Sequence, residues 1–209
     1  MPPFDTMIAF AAATLLFAFM PGPALLYTAA QTIARGRRAG FLAVLGIHLG
    51  CYAHVFAAAA GLSVMFEAVP MLYLALKIAG ACYLVWLGLG LIFKRDERAE
   101  MPAVTARSNR RAFIDSMVVE LLNPKVALFF IAFLPQFTDP SAGLPIWAQF
   151  LILGTIVNMT FSSADLVCVM LAGAVTDRLR SSPGAARLTR RVGGSILVGL
   201  GAHFALQRS

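Results

Sequence analysis

Six long, largely apolar stretches dominate the sequence and limit what the chain can fold into. They cover residues 4–33, 41–66, 70–93, 112–137, 144–176 and 192–206. A helix that crosses a bilayer needs about 20 such residues, and only the glycine-rich sixth stretch is shorter. Of the 209 residues, 13% are charged, whereas a soluble domain carries about a quarter. The pattern predicts an all-α integral membrane protein with six transmembrane helices and excludes most soluble enzymes.

The basic residues indicate how these helices are oriented. The formal net charge is +7, and 14 of the 17 lysines and arginines fall in the connections after the first, third and fifth stretches. The connections on the other side, around 63–70 and 138–144, carry none. Because basic loops stay in the cytoplasm, we expect a multi-pass protein with both termini outside. Orientation accounts for the basic residues, so no nucleic-acid partner is predicted.

The first and fourth spans are interrupted at matching places. Gly22-Pro23 lies in the middle of the first span and Asn123-Pro124 in the middle of the fourth. Because three spans return the chain to the opposite side of the membrane, the sequence predicts two inverted three-helix repeats with broken first helices. The repeats are residues 1–100 and 101–209. Such halves are typical of secondary transporters, which place their site near the bilayer midplane.

Prolines cause both interruptions. A proline lacks a backbone donor and clashes with the carbonyl four residues earlier, and in hydrocarbon a freed carbonyl needs protein or water as a partner. Pro21 therefore frees the carbonyl of Phe17, Pro23 that of Phe19, and Pro124 that of Glu120. Gly22 and Asn123 stand where helix N-caps stand before proline. Each predicts a half-helix that begins within the membrane.

These half-helices offer both poles of a site for an amino acid. A helix N-terminus carries partial positive charge and unpaired N–H groups, which suit a carboxylate, and freed carbonyls suit an ammonium group. The alternative is a packing kink without a ligand. The predicted substrate-binding residues at the breaks are Pro21, Gly22, Pro23, Asn123, Pro124 and Lys125.

Ionisable residues inside the spans are few and costly. Glu120 and Lys125 bracket the second break, where they pair with each other or contact the two poles of a substrate. Asp165 shares one helical face with Asn158 and Ser162, at spacings of three and four. We expect this stripe to face the bundle interior, with Asn158 near the substrate. Glu120 and Asp165 are candidates for proton coupling, and a structural carboxylate is the equal alternative for each.

His54 ends a stripe of small residues that begins with Gly46 and Gly50. Glycines at this spacing allow close helix packing, so His54 is predicted to be a hydrogen-bonded packing residue and is a third candidate for proton coupling. No metal site, cofactor or enzymatic activity is predicted, because the sequence lacks zinc, nucleotide-binding and hydrolase motifs. The stripe also permits contacts between protomers in a homo-oligomer.

Several segments together resemble a known family. They are Pro21-Gly22-Pro23, Gly46 to Gly61-Leu62, Lys77 to Gly88, Asn123-Pro124-Lys125, Phe129-Phe130 and Pro135-Gln136-Phe137. The combination is similar to the lysine-exporter superfamily, in its RhtB branch of homoserine and threonine efflux proteins. This resemblance implies a proton-driven inner-membrane exporter of amino acids or their derivatives. Ser116, in place of an expected glycine, and Glu120, in place of a neutral residue, depart from the pattern.

The sequence therefore favours an exporter with alternating access around a midplane site, whose partners are the amino acid, protons and the lipid bilayer. Two alternatives stay open. Electron carriers of the CcdA/DsbD type use two cysteines beside comparable prolines, but Cys51, Cys82 and Cys168 lie elsewhere. A membrane accessory protein without transport would leave both breaks inert.

Overall fold

The computed structural model describes residues 4–62, 70–93 and 109–181, together with residues 191, 195, 198, 199 and 202. The regular elements in these parts are helical, which confirms the all-α prediction. The helices are α1 (Phe4–Phe19), α2 (Pro23–Arg35), α3 (Arg37–Ala57), α4 (Pro70–Phe93), α5 (Asn109–Leu121), α6 (Pro124–Ala132) and α7 (Ile146–Ser181). A π-helical turn (Ala58–Leu62) extends α3, and a 3-10 turn (Leu134–Phe137) follows α6.

Both predicted interruptions are present. Gly22 is the N-cap of α2 and Asn123 that of α6, and a proline follows each at the first helical position. The chain bends by 46° between Thr6–Phe19 and Pro23–Arg35 and by 44° between Arg110–Leu121 and Pro124–Phe137. The prediction that each Xaa-Pro pair starts a new half-helix is confirmed.

Two helices in the described part of the chain, Arg37–Leu62 and Ile146–Ala172, are long and apolar enough to cross a membrane. The count rises to four when each bent pair is taken as one span. The helix α4 occupies the third predicted stretch, whereas the sixth falls almost entirely outside the described residues. The six-helix inverted repeat therefore stays a prediction.

The outer surface of the bundle is rich in large apolar side chains. Such a surface suits the acyl chains of lipid, because an apolar face of this extent is rare on a soluble monomer. Examples from α3 and α7, each about half exposed, are Leu45, Leu49, Phe56, Ile152, Met159 and Met170.

Close contact between α3 and α5 places the second break inside the bundle. A methyl group on Gly46 would collide with the side chain of Ser116 and the carbonyl of Phe113, and one on Gly50 would lie 2.9 Å from the Met117 carbonyl oxygen. The predicted role of these glycines in close packing is confirmed. Their absent side chains bring α3 directly against the end of α5.

Aromatic rings hold α1, α6 and α7 together beside both breaks. The ring of Phe129 on α6 lies 4.4 Å from that of Phe17 on α1 and 5.4 Å from that of Phe161 on α7. All three helices therefore meet at one point, where the end of α1 faces the start of α6.

Candidate functional site

A small cavity lies where the two breaks meet. Its volume is about 30 Å³, which is room for one or two water molecules. Six helices contribute to it, and most of its walls are apolar. Its charged and polar side chains are Glu120, Asn123, Lys125 and Asp165, and its larger apolar ones include Phe17, Ile47 and Phe161.

The first break presents an open helix end to this cavity. Gly22 has extended backbone angles (φ −142°, ψ 178°) and provides no side-chain cap. The first bond of α2 runs from Leu26 N to the Gly22 carbonyl over 3.0 Å. The N–H groups of Ala24 and Leu25 precede this bond and have no acceptor within the helix. Both residues line the cavity.

The carbonyls at the end of α1 bind a lysine from the other half of the chain. Lys125 Nζ donates to the carbonyl oxygens of Phe17 over 2.9 Å and of Met20 over 2.6 Å. The ammonium also lies 4.6 Å from the centre of the Phe17 ring, a cation–π distance. The Phe17 carbonyl, which Pro21 frees, thus accepts from an ammonium group, but this group belongs to the protein and not to a substrate.

Lys125 reaches these carbonyls by passing over Gly22. A methyl group on Gly22 would lie 2.7 Å from Lys125 Cδ and 3.3 Å from its Nζ. Any larger residue at position 22 would displace the lysine stem. The missing side chain of Gly22 at the first break therefore leaves room for Lys125 of the second break.

The second break satisfies its own polar groups. The Asn123 side chain accepts from Lys125 N over 3.1 Å and donates from Nδ2 to Glu120 Oε2 over 3.0 Å. The Glu120 carbonyl, freed by Pro124, accepts from His54 Nε2 over 2.9 Å and from Asn123 N over 3.0 Å. The suggested pairing of Glu120 with Lys125 is wrong for hydrogen bonding, because each has a nearer partner.

Asp165 enters the cavity from α7. It is buried, as is Glu120, and both carboxyls are close enough to Lys125 for electrostatic interaction with it. No hydrogen bond to the Asp165 carboxyl is found in the described part of the chain. Two acidic side chains and one basic side chain thus line the same cavity.

The rest of the polar stripe on α7 contacts α3. Asn158 Nδ2 donates to the His48 carbonyl over 3.1 Å, and Ser162 Oγ lies 2.6 Å from His48 Nδ1. All three stripe residues are buried, which confirms that the stripe faces the interior. Asn158 Oδ1 has no partner in the described residues, and this side chain lies outside the cavity lining.

The structure divides the predicted site residues into two groups. Gly22, Asn123, Lys125, Glu120 and Asp165 meet at the cavity. The cavity lining does not include the three prolines, Pro21, Pro23 and Pro124, which shape the backbone beside it. It also does not include His54 or Asn158. Sequence reasoning missed Phe161, which precedes Asp165 by one helical turn. That spacing was the available signal for it.

The described histidines and cysteines lie outside the cavity lining. No group of three histidine, cysteine or acidic side chains among the described residues is placed to hold a metal ion. The cysteines at 51, 82 and 168 are free, and none of them lines the cavity.

Comparisons with known proteins show the family of the chain. The family model of the LysE type translocator matches residues 15–208. The chain is 32% identical to a leucine efflux protein of Enterobacter sp. (strain 638) over 190 residues, 89% of this chain and 88% of that one. It is 28% identical to a leucine efflux protein of Klebsiella pneumoniae subsp. pneumoniae over 194 residues, 91% of this chain and 90% of that one.

An uncharacterized membrane protein of Pseudomonas aeruginosa is 33% identical over 195 residues, 89% of this chain and 88% of that one. No solved structure matches the chain significantly. The family model covers nearly the whole chain, and the resemblance drawn from the sequence is confirmed. The chain belongs to the LysE type translocator family.

Proposed function

We propose that this protein exports amino acids across the inner membrane in exchange for protons, through alternating access at the cavity between the two breaks. The observation that carries the proposal is the shared cavity, in which two carboxyls and one ammonium group lie beside an uncapped helix N-terminus. Charged groups inside a membrane bundle are costly and mark transport pathways by default. The names of the leucine efflux relatives support an amino acid as the substrate.

The two poles of an amino acid fit different walls of the cavity. The N–H groups of Ala24 and Leu25 at the start of α2 suit the substrate carboxylate. The carbonyls of Phe17 and Met20 at the end of α1, which bind Lys125 in the described arrangement, suit the ammonium group. Asn123 and Lys125 complete the polar surroundings.

The apolar walls favour an apolar substrate side chain. Phe17, Ile47 and Phe161 line the cavity and offer no polar side-chain group to a hydroxyl or a second charge. We therefore place leucine and similar aliphatic amino acids ahead of threonine or lysine as substrates.

Transport requires the walls to separate. A cavity of about 30 Å³ is far below the roughly 300 Å³ or more of typical ligand sites. The described arrangement corresponds to a closed state of the cycle. Opening first to the cytoplasm and then to the outside would take the substrate across, with the basic connections on the cytoplasmic side and both termini outside.

The test is transport of radiolabelled L-leucine by purified protein in liposomes with an imposed pH gradient. We expect gradient-dependent leucine movement by the wild type and its loss in the double variant Pro23→Ala/Pro124→Ala, which lacks the helix-starting proline of each break. Pro140→Ala, in an exposed turn, is the matched control. Unchanged transport by the double variant would contradict the site, and a wild type without transport would favour an accessory role.

A further inference from the structure

The end of α1 forms a subsite for a primary ammonium group. The carbonyl oxygens of Phe17 and Met20 accept from Lys125 Nζ over 2.9 and 2.6 Å, and the Phe17 ring lies 4.6 Å from it. Carbonyls at a helix C-terminus carry partial negative charge, and an aromatic face attracts a cation. The subsite thus combines two acceptors with a cation–π surface.

The occupant of this subsite comes from the other half of the chain. Lys125 is the second residue of α6 and lies 105 positions beyond Met20. Its stem crosses Gly22 at the open start of α2. The same side chain therefore passes beside the helix end that suits a carboxylate and fills the subsite that suits an ammonium group. A lysine stem has four flexible carbons, so it can leave without unfolding either helix.

We propose that Lys125 is a tethered stand-in for the substrate: its ammonium fills the substrate's ammonium subsite in the closed, substrate-free state and is displaced by the amino acid. This inference rests on the proposed function and reverses the role that the sequence suggests for Lys125, since it makes the lysine a competitor of the substrate. The displaced ammonium has the Asp165 and Glu120 carboxyls in the same cavity as its next partners. The substrate ammonium then takes over the Phe17 and Met20 carbonyls.

Competition between Lys125 and the substrate predicts that removing the lysine ammonium tightens leucine binding. When a side chain occupies a subsite in most molecules, the apparent dissociation constant of the ligand rises by the inverse of the fraction left open. Lys125→Met removes the competing ammonium and keeps a long apolar stem. We expect this variant to bind L-leucine about tenfold more tightly, or about 1.4 kcal/mol, and to transport it more slowly. A lysine that contacts the substrate carboxylate directly would give weaker binding.

The experiment measures binding of radiolabelled L-leucine to purified wild-type protein and Lys125→Met in detergent. Lys77→Met, which removes the other lysine that the sequence places within a span, is the matched control and should bind as the wild type does. Tighter binding by Lys125→Met alone supports the proposal. Weaker or unchanged binding by that variant overturns it.

Thermal unfolding with simple amines tests the subsite without an amino acid. Methylammonium carries the donors of the lysine ammonium and should raise the Tm of Lys125→Met but not that of the wild type. Tetramethylammonium has the same charge without N–H donors, so only the Phe17 ring can attract it, and it should raise the Tm of Lys125→Met less than methylammonium does. An equal effect of the two cations on the variant, or no effect of methylammonium, overturns the subsite.

Two further outcomes are kept separate. If the wild type fails to bind L-leucine, the proposed substrate is wrong, and the amine experiment still decides whether the subsite exists. If Lys125→Met does not fold, Lys125→Gln keeps one donor for the carbonyls and should bind leucine with an affinity above that of the wild type. A weaker affinity of Lys125→Gln overturns the proposal.

Discussion

The two breaks share a helix-starting proline but differ in what satisfies their backbone. At the first break, Gly22 leaves the start of α2 without a side-chain cap, and the carbonyls before it bind a lysine from α6. At the second break, Asn123 caps α6 and holds the Glu120 carboxyl, while His54 binds the Glu120 carbonyl. In the function we propose, the first break is the binding end and the second is a fixed support for it.

The carboxyls of Asp165 and Glu120 differ in the same way as the two breaks. Replacing Asp165 has the largest expected effect, which is on gradient-driven transport. Asp165 lines the cavity from α7, whereas the Glu120 carboxyl is engaged by Asn123. We expect Asp165→Asn to reduce gradient-driven leucine transport to the level of protein-free liposomes while leucine exchange continues, because an amide cannot take up and release the proton. Glu120→Gln should keep a measurable gradient-driven rate.

The measurement compares gradient-driven uptake with exchange in the same liposomes. Asp115→Asn, on α5 and outside the cavity lining, is the control for removing a carboxylate. The opposite order, with coupling lost in Glu120→Gln and kept in Asp165→Asn, would transfer the coupling role to the second break.

Asn123 gives the next effect, on stability. Asn123→Ala removes the helix cap and leaves the buried Glu120 carboxyl without its amide donor. We expect a loss of about 1–3 kcal/mol in the free energy of unfolding, read from denaturation in detergent. Asn123→Ser keeps a cap acceptor and should recover the part due to the cap. Full stability of Asn123→Ala would show that the second break is not a fixed support.

The smallest effect is expected at His54. Its ring donates to a backbone carbonyl, so His54→Gln, which retains a side-chain donor, should cost less than about 1 kcal/mol. The pH dependence of leucine transport should not change. A shifted pH profile in this variant would restore His54 as a proton-coupling residue.

The sequence predicts what depends on near neighbours in the chain. A Gly-Pro and an Asn-Pro pair determine where α2 and α6 begin, since an N-cap and a first-turn proline act locally. The spacing of Asn158, Ser162 and Asp165 likewise predicts one buried face. The predicted six-helix arrangement includes residues outside the described part of the chain, so its sixth helix stays a prediction.

The contacts of Lys125 show where such reasoning ends. Its five-residue separation from Glu120 suggested a pair, but Asn123 is the nearer partner of that carboxyl. The acceptors of Lys125 lie 108 and 105 positions away in the chain. Beside those carbonyls Phe17 packs against Phe129, a contact between distant parts of the chain that no local spacing encodes.

The central claim is that the substrate binds at the open first break, and Gly22→Val tests it most directly. The valine side chain would extend from a residue that lines the cavity and cover the uncapped start of α2. Gly143→Val, at an exposed glycine with nothing within 4 Å, is the control. We predict saturable binding of radiolabelled L-leucine to the wild type and Gly143→Val and none to folded Gly22→Val. Binding by Gly22→Val with wild-type affinity would contradict the account.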